Sequence, residues 1–330
     1  MFIDILLFIV GIALLYYGAE LMVKNSSWLA KSIGVSPLII GLTVVAFGTS
    51  APELLVSTIA SIQGDSDIAL GNVIGSNIAN IGLVLGLVVL IRPPKSEPQA
   101  IKREFPFLVI VSVLLFLLIL DNEVGRIDGI ILLLLFAIFM YYNIMTVRKK
   151  MMNKLKHEME EIGEEIEEKL EEVARLKSHH RKKNIRNLMF AVLGLLILLV
   201  GSKLMVDSSI EIAQGFGVSQ MVIGISLVAI GTSLPELFTS VIASIKKEEE
   251  INVGMVLGSN IFNTLLILGV AAVILPITVV NNDVFVSLPV MIFFTLIVMP
   301  ILMKSIRSHR LIGLFMVLAY FSFIFYSFVK

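Results

Sequence analysis

Cysteine is absent from all 330 residues, which excludes disulfides, thiolate catalysis and cysteine-based zinc sites but leaves the redox compartment open. Net charge is absent as well. The 26 basic side chains balance 26 acidic ones, and nothing in that balance invites a nucleic acid. No catalytic triad, phosphate loop or nucleotide motif occurs, so the chain does not read as an enzyme, and its energy must come from an ion gradient. No basic leader or small-residue cleavage site precedes the apolar run at Phe2, which reads as a first membrane helix and not as a removed signal.

Apolar surface is what the chain has in excess. Hydrophobic residues make up 57% of it and the mean hydropathy is +0.95, beyond the range of a soluble domain. Ten apolar segments emerge, at roughly 2–23, 36–62, 67–91, 104–120, 127–147, 187–206, 219–245, 251–279, 284–303 and 309–329. Their lengths suit a bilayer better than a soluble core. The expected fold is an all-α integral membrane protein of ten transmembrane helices. Residues 1–147 form a first five-helix repeat, 148–186 a charged linker and 187–330 a second five-helix repeat.

The halves are copies. A shift of 183 residues places Gly18 on Gly201, Thr49 on Thr232, Glu53 on Glu236, Gly71 on Gly254 and Asn80 on Asn263 without a gap. Between 34–80 and 217–263, 26 of 47 positions are identical, far more than shared apolar composition gives. An odd number of helices per repeat forces the copies to insert in opposite senses, as in transporters built from inverted repeats. Charge agrees with this. With the N-terminus outside, 23 of the 26 Lys and Arg fall on cytoplasmic connections, leaving only Arg126, Lys203 and Lys330. Both termini are therefore expected outside a cell membrane crossed many times, with the linker in the cytoplasm.

One short stretch is used twice. Residues 46–57 read Ala-Phe-Gly-Thr-Ser-Ala-Pro-Glu-Leu-Leu-Val-Ser, and 229–240 read Ala-Ile-Gly-Thr-Ser-Leu-Pro-Glu-Leu-Phe-Thr-Ser. Each sets a Gly and a Pro beside two hydroxyls and a carboxylate inside a membrane-length segment. A broken helix in hydrocarbon leaves carbonyls without partners unless they line a cavity or hold something. An ionisable residue at that depth costs at least ~2.5–3.5 kcal/mol, which makes Glu53 and Glu236 functional candidates. Freed carbonyls, hydroxyls and carboxylates are hard oxygen ligands of the kind Ca²⁺ and Na⁺ prefer. A second polar cluster follows each, in residues 71–80 and 254–263, both containing Gly-Ser-Asn-x-x-Asn. Ser76 and Asn80 share one helical face, as do Ser259 and Asn263. Alone, such small polar residues serve helix packing. Doubled beside two intramembrane Glu, they point to a cation site.

These doubled motifs, in a five-plus-five membrane protein, resemble the sodium/calcium exchanger family of the calcium/cation antiporter superfamily, in its prokaryotic-type form. The resemblance covers both membrane halves and not the linker. It implies a diamond of four ion positions at the bilayer midplane. Glu53 and Glu236 would hold Ca²⁺ with the carbonyls of Thr49 and Thr232. Sodium positions would use Ser50 and Ser259 with the carbonyl of Ala46, and Ser233 and Ser76 with the carbonyl of Ala229, both Glu contributing. Asn80 and Asn263 would occupy the centre. Some family members, particularly those that also move potassium, carry an acid where Asn263 stands; without it this chain has only two carboxylates in the cluster. No cofactor is implied; Ca²⁺ and Na⁺ are cargo.

The expected function is secondary antiport of Na⁺ against Ca²⁺ by alternating access, driven by the sodium gradient. Two nearby carboxylates repel strongly at low dielectric, and one Ca²⁺ or two Na⁺ neutralise them. Protons would neutralise the pair too, so H⁺/Ca²⁺ (or other divalent cation) antiport is the alternative. A cation channel also lines its pore with carboxylates and carbonyls, but the paired mid-depth breaks favour a transporter. The partners are small inorganic cations and the lipid bilayer. In the linker, Met152, Leu155, Met159, Ile162, Ile166, Leu170, Val173 and Leu176 make a narrow apolar stripe among charges. It reads as a solvated connector helix, with self-association through 148–186 or membrane docking as alternatives. His179 and His180 read as solvated, and Glu20 and Lys203 as interfacial residues near helix ends.

Overall fold

The structure, a computed structural model, describes residues 2–94, 100–161, 166–216, 229–279, 284–302 and 309–329. Within these the chain is helical apart from one two-residue strand pair. Helix α1 is Phe2–Ile33, followed by a bent pair, α2 (Pro37–Thr49) and α3 (Ala51–Gln63), that turns by 46° at Ser50. Then come α4 (Ser66–Ile91), α5 (Lys102–Asp121), α6 (Arg126–Glu161) and α7 (Ile166–Gly215). The second half holds α8 (Ala229–Thr232), α9 (Leu234–Ile245), α10 (Glu249–Ile274), α11 (Val284–Leu302) and α12 (His309–Val329). Strand β1 (Glu123–Val124) pairs antiparallel with β2 (Ile277–Thr278).

Among the described residues, eight helices are long and apolar enough to cross a membrane, or nine with the bent pair as one span. The first part of the expected seventh segment, through residue 228, lies outside the described residues, as do the linker's apolar side chains from Leu155 to Leu176 and both linker histidines. The linker backbone is helical to Glu161 and again from Ile166. Helix α1 runs ten residues farther than its apolar pattern suggests, because Asn25, Ser26 and Ser27 are buried in its last turns.

Burial divides the helices by depth in the bundle. In α4 and α10 the most apolar windows are 78% buried, against 17% in α6, so these two form the centre and the rest face outward with Ile, Leu and Phe. Apolar side chains facing apolar lipid give helices little reason to associate, so contacts rely on close approach at small residues. The α1–α7 crossing shows this. A methyl group at Gly18 would lie 2.8 Å from the Gly194 carbonyl oxygen, and one at Gly194 would lie 2.8 Å from the Gly18 carbonyl. Gly11 and Gly201 oppose each other in the same way, at 3.0 and 2.9 Å. The 183-residue shift carries Gly11 onto Gly194 and Gly18 onto Gly201.

The two ends of the bundle differ. At one, Lys31 pairs with Glu248 at 3.2 Å, Arg92 with Glu249 at 2.5 Å, and Ser36 donates to Glu250 at 2.7 Å. Ser32 donates to Asn184 there, and Lys183 lies 4.9 Å over the Trp28 ring. This is the linker face. At the other end, Thr278 N–H donates to Ser66 Oγ at 3.3 Å and Val279 N–H to the Asn122 carbonyl at 2.8 Å, which gathers the strand pair beside α4. This is the hairpin face.

Candidate cation site

Proline makes the break at each doubled motif. Ser50 sits at φ −82°, ψ 8° between α2 and α3, and Ser233 at φ −88°, ψ 2° between α8 and α9. Pro52 and Pro235 follow at the second helical position, where a missing N–H is tolerated at a helix start but cannot serve the preceding turn. In the second half the Gly231 carbonyl is taken by Ser202 Oγ of α7, at 3.1 Å. The equivalent of Ser202 is Ala19, so no hydroxyl does this in the first half. Glu53 and Glu236 each fall in the first turn of the new helix, where the positive end of the helix dipole favours a carboxylate.

Both Glu are buried, at 0% and 1% exposure, so neither is a surface acid. Neither carboxylate oxygen of Glu53 has a hydrogen-bond partner. Glu236 Oε1 accepts from Ser50 Oγ at 3.3 Å, across the two halves, and Oε2 has none. Thr49 is buried, and its hydroxyl turns back to the Val45 and Ala46 carbonyls at 3.2 and 3.3 Å. The Ala46 carbonyl also takes Ser50 N–H at 3.0 Å. Thr232 is half-buried in α8, whose described part runs from Ala229. A small, mostly apolar crevice lined by Phe47, Leu54, Phe262 and Leu266 reaches Ser50.

Helices α4 and α10 bring the second clusters to the same core. Ser76, Asn80, Ser259 and Asn263 are all buried. The backbone changes register at both Asn residues: a π-helical turn spans Asn80–Leu85 and another spans Asn263–Ile267. Such turns are rare and concentrate where a helix does chemical work. Both polar atoms of Asn80 and of Asn263 lack partners, as do Ser233 Oγ and Ser259 Oγ. Each unpartnered buried polar atom costs about 1–3 kcal/mol, and more where it carries charge. So many of them in one fold, on residues that two duplicated motifs supply, suit a set of ligands for something positively charged. Among the described residues no three or more His, Cys, Asp or Glu are grouped so as to hold a metal ion, so the negative charge of the set is that of the two Glu.

Sequence reasoning did not single out several residues that brace this core. Asn72 Nδ2 donates to the Glu53 carbonyl at 3.1 Å and to Ser57 Oγ at 2.8 Å, which holds the first turns of α3. Asn77 Nδ2 donates to Thr264 Oγ1 at 2.9 Å, and Asn260 Nδ2 to the Asn77 carbonyl at 3.4 Å, where α4 crosses α10. Asn77 and Asn260 are equivalent under the repeat shift, a signal already present in the doubled Gly-Ser-Asn. Glu20, expected near a helix end, lies mid-way along α1 and pairs with Lys246.

The family profile described as "Sodium/calcium exchanger protein" matches residues 3–145 and 187–329, leaving out the linker. The sodium/calcium exchanger MaX1 of Methanosarcina acetivorans is 34% identical over 347 aligned positions, covering 98% of this chain and 97% of that protein. The inner membrane protein YrbG of Escherichia coli is 37% identical over 272, covering 82% and 79%. The fold is similar to that of the sodium-calcium exchanger NCX_Mj soaked with Na⁺ and Sr²⁺, with a TM-score of 0.80, 31% identity, and 97% of this chain and 96% of that one covered.

Proposed function

The chain belongs to the sodium/calcium exchanger family, a family of membrane cation/Ca²⁺ antiporters, and we propose that it exchanges Na⁺ for Ca²⁺ through the core built by its two broken helices. The observation that carries this reading is the set of unpartnered oxygens around Glu53 and Glu236. Ca²⁺ is taken by the two carboxylates with the Thr49 and Thr232 carbonyls. Na⁺ is taken by Ser50 and Ser259 with the Ala46 carbonyl, and by Ser233 and Ser76 with the Ala229 carbonyl. Asn80 and Asn263 fill the centre. Two buried carboxylates without a cation repel, and one Ca²⁺ or two or more Na⁺ relieve that repulsion. The loaded core is then free to exchange faces, and the empty one is held back, which couples the two fluxes.

The same proposal includes ten spans in two inverted five-helix repeats, 1–147 and 187–330, with both termini outside and the 148–186 linker cytoplasmic. The positions of equivalent turns support the inversion. The connection after α3, near Ser66, lies at the hairpin face, and its copy at 246–250 lies at the linker face. The linker supplies no oxygen to the core in this reading and serves as a connector, with self-association through it as a further role.

Counterflow of ⁴⁵Ca²⁺ in proteoliposomes tests the exchange directly. Uptake into Na⁺-loaded vesicles, and not into choline-loaded ones, is the expected result. Uptake that follows an imposed pH gradient and ignores Na⁺ would replace Na⁺ by H⁺ as the coupling ion.

A further inference from the structure

The serines beyond Glu53 and Glu236 are related by the repeat but not by their bonding. On α3, Ser57 and Ser61 stand one and two turns past Glu53, and both hydroxyls are occupied. Ser57 Oγ donates to the Ala69 carbonyl at 3.4 Å and accepts from Asn72, and Ser61 Oγ donates to the Ala271 carbonyl at 2.7 Å. On α9 the counterparts are Ser240 and Ser244. Ser244 is occupied in the same way, donating to the Ser240 carbonyl and accepting from Asn252 Nδ2, both at 2.9 Å. Ser240 Oγ has no partner, and neither has Thr239 Oγ1 or Asn252 Oδ1, although all three residues are at most 1% exposed. Two of the three are additions made by the second half: Val56 stands where Thr239 does, and Ala69 where Asn252 does. Asn252 is fixed beside α9 by its second bond, to the Ser240 carbonyl at 3.0 Å.

We propose that Thr239, Ser240 and Asn252 form a second cation site on the path between Glu236 and the linker face, taking a monovalent cation that keeps part of its water. The proposal rests on the exchange reading above and extends it. Burying three unpartnered oxygens costs stability unless something uses them. All three are neutral, and hard divalent ions select sites with carboxylates, so the set suits Na⁺ better than Ca²⁺. Conduction along a path requires stops weak enough to leave, which a neutral site provides. Beyond it the mouth is acidic, with Glu248, Glu249 and Glu250 held by Lys31, Arg92 and Ser36.

The test is the double variant Thr239→Val with Ser240→Ala, which removes two unbonded hydroxyls at nearly constant volume and should fold as the wild type does. Because the chain has no cysteine, Met151→Cys on the linker extension of α6 reports orientation through an impermeant maleimide. In oriented proteoliposomes the Na⁺ concentration for half-maximal exchange should rise at least about threefold at the linker face and stay unchanged at the hairpin face. Unchanged values, or an equal rise at both faces, overturn the proposal. Absence of exchange in the wild type would count against the antiport reading, and the site is then judged by amide hydrogen exchange. Na⁺ in place of choline should slow exchange across 240–252 in the wild type and not in the variant. Wild-type protein that shows no such slowing overturns it.

Discussion

Replacing Glu53 by glutamine should abolish exchange and, in the absence of cations, make the protein more stable. Glu53 is fully buried with neither oxygen bonded, and Glu236 has one hydroxyl partner at 3.3 Å. At an effective dielectric of ~20, two unit charges about 4 Å apart repel by about 4 kcal/mol and less in inverse proportion to their separation, so two carboxylates in one core repel by about 2–3 kcal/mol. The amide keeps the shape and removes that repulsion, but its NH₂ finds imperfect partners, which returns about 1 kcal/mol. The net gain is about 1–2 kcal/mol in alkaline choline buffer, a rise in Tm of roughly 1–3 °C. Calcium reverses the order. At a hundred times its Kd it stabilises the wild type by about 2.7 kcal/mol, whereas the variant has lost half the charge that binds it and gains little. Thermal melts of both proteins in detergent, with choline alone and then with Ca²⁺, give the four numbers required. A variant that melts below the wild type in choline, and is raised by Ca²⁺ as far as the wild type, would refute the reasoning.

Ser50→Ala and Ser233→Ala should each raise the Na⁺ requirement for ⁴⁵Ca²⁺ release several-fold while moving Ca²⁺ half-saturation less, since each removes one of several oxygen ligands; equal losses for both ions would assign the serines to packing. Deleting most of 152–180 and joining the ends with flexible linkers of graded length should preserve exchange, because that segment lies outside both family-matched halves; loss of transport at every length in protein that still inserts would contradict this. Three Na⁺ per Ca²⁺ would carry one net positive charge past two carboxylates, worth about 2.3 kcal/mol per 100 mV. Solid-supported-membrane currents on a Na⁺ jump into Ca²⁺-loaded vesicles should then be sustained, and robust flux without current would mean two for one.

The residues of the candidate site stand out in the sequence more clearly than the limits of the helices around them. Glu53, Glu236 and the Ser and Asn of both second clusters were legible because each polar residue interrupts an apolar run and each interruption occurs twice. The π-helical turns at Asn80 and Asn263 were not, because a one-residue change in hydrogen-bond register leaves composition and periodicity nearly untouched. Neither was the reach of α1 to Ile33. Lys24, Asn25, Ser26 and Ser27 end the hydrophobic pattern, yet Asn25 is satisfied within the helix through the Leu21 carbonyl at 2.7 Å. Ser202 escaped for a third reason. Its role is a contact with another element, at Gly231, that no local spacing announces.

The glycine crossing of α1 and α7 has a mechanical side. Where main chain touches main chain at Gly11, Gly18, Gly194 and Gly201, no rotamer is available to absorb a displacement, and the two helices form one stiff strut. It is tethered mid-way along α1, from Glu20 to Lys246, and at its linker-face end, from Lys31 to Glu248. Further along, Ser202, the neighbour of Gly201, grips the Gly231 carbonyl two residues before Ser233. Short contacts therefore run without interruption from the turn at 246–250 through the strut to the broken helix. The strut is shaped as a lever, with the two ends of the second half's α9 region as its load points.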